Sequence, residues 1–160
     1  MAVDMFIKLE GVEGEAKDDK HKGWIDVLSW SWGMSQSGTM HMGGGGGAGK
    51  VNVTDLSFTK FIDKSTADIM IHNASGKHYP KADVVVRKAG DKPLEYLKIQ
   101  MKNVLISSIS TGGSGGEDRL TENVTLNFET VKVEYTPQKK DGSGDAVQTF
   151  GWNVGTNAPL

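Results

Sequence analysis

Among residues able to do chemistry, the run Gly44-Gly45-Gly46-Gly47-Ala48-Gly49-Lys50 stands out first, because it fits most of a phosphate-cradling glycine loop. Such a loop works when it follows a strand and opens a helix whose first N–H groups hold the phosphate, with a Ser or Thr after the lysine. Here Val51 follows Lys50 and a strand pattern comes next, so the run is expected to be a long loop between strands. Gly112, Ser114 and Gly116 satisfy G-x-S-x-G, the spacing of a hydrolase nucleophile elbow. That elbow needs a histidine later in the chain, yet the four histidines, at 21, 41, 72 and 78, all precede Ser114. Met40-His41-Met42 offers soft ligands suited to copper without a second cluster to complete a site. His72 and His78 flank a helix stop and lack a zinc spacing. Glu117-Asp118 and Asp18-Asp19 sit in glycine- or lysine-rich stretches where ionised carboxylates are solvated. The expectation is no catalytic residue, no cofactor and no metal.

The elements that would position any site come from a chain of 160 residues, long enough to bury a core without help from disulfides. There are no cysteines, which excludes a thiolate nucleophile or a Cys-based zinc site. Asp4 and the lack of a long apolar run argue against a signal peptide or an anchor. A formal charge of −2 with interspersed signs lacks the basic footprint of a nucleic-acid binder.

Apolar residues alternate with period two along most of the chain, which predicts strands. In "VDMFIKL", Val3, Met5, Ile7 and Leu9 share a face. In "WIDVLSWSWGM", Trp24, Leu28, Trp30, Trp32 and Met34 are assigned to the core face, and Ile25, Val27, Ser29, Ser31 and Gly33 to the other. Further strands are predicted at "VNVTDLSFTKFI", "ADVVVRK", "LEYLKIQMKNVLISSIS", "ENVTLNFETVKVEYT" and "AVQTFGWNV". The apolar phase slips from Leu97, Ile99 and Met101 to Val104, Ile106 and Ser108 around Asn103, and again between Phe128 and Val131. Such slips require bulges or bends that carry a strand round a corner. "AGDKP" and "KKDGSGD" have hairpin chemistry. One helix is expected at about 65–76, with Ser65 and Asp68 as a capping box and Gly76 and Pro80 as a stop. The prediction is a mainly antiparallel β-barrel or strongly bent sandwich carrying one helix.

Several long blocks, "IDVLSWSWGMSQSGTMHMGGGGGAGKVNVTDLSFTKFIDKST" above all, with "MAVDMFIK", "SGKHYPKADVVVRKAG" and "STGGSGGEDRLTENVTLNFETVKVEY", resemble the haemolysin-coregulated protein (Hcp) family, the tube protein of type VI secretion systems. The resemblance spans nearly the whole chain as a single domain, 1–160. It implies an antiparallel two-sheet β-barrel with one short helix and a long glycine-rich extended loop at about 38–50. It also implies homohexameric rings that stack into a tube driven by a contractile sheath, with spike and baseplate as further partners and small effectors held in the lumen. No nucleic acid and no membrane insertion enter that scheme. The protein would be made in the bacterial cytoplasm and exported without a signal peptide, and the chain, ending soon after its last strand, would leave no room for an appended toxin enzyme.

Within that resemblance, strand alternation assigns Ser31 to the lumen with Ser29 as companion, and Met40, His41, Met42, Gly43, Gly44, Gly45, Gly46 and Gly47 to an assembly arm. Gly90 and Asn157 are candidates for opposite ring faces. A 160-residue globule has a radius of gyration of ~15 Å, so six in a ring leave a hole about one protomer wide. A monomeric carbohydrate-binding domain is the competing reading, and it would require Trp24, Trp30 and Trp32 to be exposed.

Overall fold

Two-residue alternation becomes a closed barrel in the computed structural model, which describes residues 3–38, 49–90 and 93–160. Chain order is β1 (Val3–Leu9), β2 (Ile25–Ser31), β3 (Met34–Ser35), β4 (Asn52–Val53), β5 (Leu56–Phe61), α1 (Thr66–Ser75), β6 (Tyr79–Lys88), β7 (Leu94–Gly112), β8 (Thr121–Tyr135), β9 (Gln148–Asn153) and β10 (Ala158–Pro159). The strands run β10-β9-β8-β5-β2-β1-β6-β7, and an additional β7–β8 pairing joins the ends of the six-strand portion into a ring. Every pairing is antiparallel. Closure leaves β9–β10 as a flange on β8 and β3–β4 as a separate ribbon at the base of the glycine run. The expected barrel with one helix is present; the assembly loop from Met40 to Gly47 lies outside the described residues.

Ile7, Leu9, Ile25, Leu56, Phe58, Ile99, Met101, Val104, Ile106, Val124, Leu126 and Val131 fill the interior, all essentially inaccessible. Burial of such side chains, at ~25 cal/mol per Å² of apolar surface, is what drives closure.

Phase slips shape the barrel, and they correct two face assignments. In β2 the pairing with β5 steps from Val27↔Lys60 to Ser29↔Thr59, so Leu28 is an extra residue. Before this bulge Ile25 and Val27 point inward; after it Trp30 and Trp32 pack against the core. The single-phase assignment of Leu28 and Met34 to the core therefore fails: they are 41% and 47% exposed. The slip at Asn103 is present. Asn103 has φ +54°, and the buried phase passes from Met101 to Val104 opposite the matching step from Phe128 to Val131. Both strands turn together, so their register survives. A further bulge, where Ile106↔Leu126 is followed by Ser108↔Thr125, expels Ser108 from the apolar face expected for it and leaves Ile109 against the core.

The helix is where it was expected, with a different start. Ser65 has helical angles and makes no side-chain cap bond. Asp63 takes that role: its Oδ1 accepts the Ser65 N–H at 2.9 Å and its own N–H donates to Thr66 Oγ1 at 3.1 Å. Asp68 is drawn away by Tyr79 and His72 instead. Gly76, at φ +72°, ends the helix in the left-handed conformation that glycine adopts without steric cost, while Pro80 lies within β6.

Candidate functional site

The exterior of the barrel divides into two walls of different chemistry. On one, the registers of β2, β5, β8 and the far half of β7 align the rows Ser31-Ser57-Thr125-Ser108 and Ser29-Thr59-Asn123-Ser110. All eight side chains are hydroxyls or a carboxamide, and all are exposed or half-buried. Alternation explains why: on each strand the intervening residues, such as Phe58, Val124 and Leu126, face inward, while the bulges at Leu28 and near Ser107 bring β2 and β7 into the same phase. Thr59 Oγ1 donates to Asn123 Oδ1 at 2.5 Å, and Thr125 Oγ1 shares hydrogen bonds of 2.7 Å with Ser107 and Ser108. Such a face is wettable and short-armed, and Thr59, Asn123, Thr125 and Ser108 are partnered within it. It can be touched by a partner without offering a strong grip.

The sequence-derived residues Ser29 and Ser31 thus sit in rows whose other members lie far apart along the chain. Gly90, with φ +148°, follows β6 beside a cavity of about 270 Å³ that Asp4, Asp18 and Arg87 also line. Asn157, with φ +54°, lies in the turn before β10. Trp24, Trp30 and Trp32 are half-buried, and the Trp32 indole N–H donates to the Thr54 carbonyl at 2.9 Å. His72 stacks on Tyr79 at 3.9 Å, while His78 Nδ1 lies 2.6 Å from Asn103 Oδ1. Tyr79 donates to Asp68 at 2.5 Å, and burial pushes the phenol above its ordinary range. Among the described residues no trio of His, Asp or Glu gathers to hold a metal.

The other wall, on β1, β6 and the near half of β7, is charged. Lys98 is paired with Glu134 and Gln100 with Lys132 across the β7–β8 ladder, and Lys81 lies 3.6 Å from Asp83. Burial raises the Asp83 carboxyl above the usual range. Segment 10–24 straps over the β1–β6 end of this wall. Arg87 reaches Asp18 at 2.7 Å and Asp4 at 3.0 Å and lies over the Phe6 ring; His21, only 3% exposed, stacks on Phe6 between Asp18 and Glu95, each 2.9 Å from a ring nitrogen. The Arg87 hydrogen bonds hold the Asp18 carboxyl well below its usual range.

Sequence reasoning missed a third cluster. Lys60 and Glu122, both fully buried, form an ion pair inside the barrel, with Asp63 3.1 Å from the lysine and Thr66 Oγ1 donating to Glu122 at 2.7 Å. The signal was available, since Lys60 follows Leu56 and Phe58 and Glu122 precedes Val124 and Leu126 at strictly inward phase.

This closed antiparallel barrel with one helix has the fold of solved type VI secretion proteins. A solved type six secretion system protein matches it with a TM-score of 0.92 at 33% identity, covering 99% of this chain and 100% of that one. Hcp1 from Salmonella typhimurium matches with a TM-score of 0.83 at 42% identity over 100% of both chains. The family model described as "Type VI secretion system effector, Hcp" matches residues 6–135. Protein hcp1 of Pseudomonas aeruginosa PAO1 is 66% identical over 159 residues, 98% of each chain. The chain belongs to the Hcp family, the secreted tube proteins of type VI systems, which form ring and tube assemblies.

Proposed function

We propose that this chain is one subunit of a homohexameric ring, and that the rings stack into the inner tube with the hydroxyl and amide rows, Ser29 and Ser31 among them, facing the lumen. The observation that carries this reading is the alignment of eight small polar side chains across four strands. A conduit wall must be wetted, free of long side chains and unable to hold its cargo tightly, and these rows meet all three requirements. Small secreted effectors are the cargo, and spike, sheath and baseplate are the tube's partners. The role is structural rather than enzymatic, with a cytoplasmic stage before export that uses no signal peptide.

Absolute mass by light scattering behind size exclusion, across a concentration series, tests the ring: about six protomers is expected, and a persistent monomer overturns it. Ser31→Phe then tests the wall, since it should leave the ring mass unchanged and reduce the effector retained in the lumen. The arm from Met40 to Gly47 is assigned to contact between subunits or rings, because a glycine run conforms to a neighbour at an entropic cost that keeps stacking weak. Deleting Gly43–Gly47 should leave the protomer folded and weaken tube formation, and unchanged stacking would sink that assignment. Gly90 and Asn157 are placed on opposite ring faces, where glutamate substitutions should weaken stacking but not ring closure.

A further inference from the structure

One border of the hydroxyl wall carries carboxylates alone. Asp55, immediately before β5, stands two residues from Ser57 on the same side of the strand; its Oδ2 accepts from Ser107 Oγ at 2.6 Å and its Oδ1 from Asn127 Nδ2 at 2.9 Å. Both donors are neutral, so they orient the carboxylate without cancelling its charge. Among the described residues, no lysine or arginine forms an ion pair with it. Glu129, two residues beyond Asn127 on β8, adds a second carboxylate at the same border, hydrogen-bonded by Asn103 Nδ2 at 2.9 Å. At the opposite border the charges are mixed: the Arg119 guanidinium lies 3.8 Å above the Phe61 ring, with Glu117 and Asp118 in the same turn. Between the two borders both rows are uncharged.

We propose that Asp55 makes this wall selective for basic groups, and that it is the contact a cationic segment of a cargo protein meets on the wall. This rests on the reading of the rows as a lumen wall. Physically, an ionised group in a neutral surround exerts its field over about a Debye length, ~8 Å at physiological salt, which exceeds the spacing between neighbouring strands. Symmetric closure of a ring repeats the carboxylate once per subunit around the opening and adds the fields of neighbours. Neutral hydroxyls supply contact, while the acidic border supplies discrimination by sign, the usual division between affinity and electrostatic specificity.

The test uses the assembled protein, verified by light scattering, and two fluorescent peptides of equal length and hydropathy, one lysine-rich and one glutamate-rich, followed by anisotropy. Preference for the lysine-rich probe by about tenfold at ~0.05 M salt, shrinking as salt rises, is expected of the native ring. Asp55→Asn should keep the ring mass and cut the preference severalfold, and Asp55→Lys should reverse it. Equal binding of both probes by the native ring, or an unchanged preference in an assembled Asp55→Asn, overturns the proposal while leaving the ring intact. If Asp55→Asn does not assemble, the salt dependence of the native ring decides alone, with a salt-independent preference counting against Asp55. Failure of the native protein to form a ring is a separate result, and it removes the lumen reading itself.

Discussion

At the scale of single residues, the groups that most constrain this protein are charges placed where strands normally hold apolar side chains. Lys60 and Glu122 are both inaccessible, and Glu122 Oε1 has no partner among the described residues. A pair of this kind holds the β5–α1 junction to β8 and punishes removal of one member more than removal of both. Lys60→Met is expected to lower unfolding stability by about 3–5 kcal/mol, and Lys60→Met with Glu122→Leu to recover most of that loss, as read by urea titration. Asp18 gives a pH signature. Its folded-state carboxyl is held well below the ordinary value, so its stabilisation is complete above the unfolded carboxylate range, starts to decline as pH falls through that range because the unfolded chain takes up the proton first, and is lost only as pH falls through the folded value. The native protein should therefore exceed Asp18→Asn in thermal midpoint near neutrality, with the difference narrowing between about pH 5 and pH 3. A difference that stays constant with pH would remove the Arg87–Asp18 contact as its cause.

At the scale of elements, the strands were legible in the sequence and their faces only in part. β1 coincides with "VDMFIKL" because its alternation is unbroken and Ile7 and Leu9 keep the inward phase throughout. β2 misled because a single extra residue at Leu28 exchanges the faces, and no composition signal marks a bulge made of leucine. Asn103 was legible for a physical reason, since asparagine tolerates the left-handed conformation better than most residues with a side chain. Asn103→Val should accordingly destabilise by about 1–2 kcal/mol more than Asn103→Gly, which loses the same side-chain hydrogen bonds but suits the backbone. Matching urea midpoints for the two variants would show that the turn in β7 does not depend on that conformation. As for the candidate site, Ser29 and Ser31 could be named from β2 alone. Their row partners on β5, β7 and β8 could not, because long-range register is decided by the bulges that close the barrel.

At the scale of the whole molecule, one barrel presents a neutral wall and a charged wall, and the chain belongs to a family whose subunits build tubes. Alternation turns both walls outward from the core, and closure of the sheet sets them on different strands, so the two can face different surroundings in an assembly. Charge on the neutral wall should therefore disturb transport before it disturbs the fold: at the exposed Ser31, Ser31→Lys is expected to leave unfolding stability within about 0.5 kcal/mol of native while changing which cargo is retained, measured by co-purification. The long β7–β8 ladder, paired from Leu97↔Tyr135 to Gly112↔Thr121, also has a mechanical meaning. A thrust directed along these strands would load the rungs in shear, all at once, whereas a pull across them would open the rungs in sequence like a zip. The subunit is thus anisotropic as a material, stiff along the β7–β8 direction and weak across it, and a body that must transmit a sudden push gains most when its stiff axis lies along the stroke.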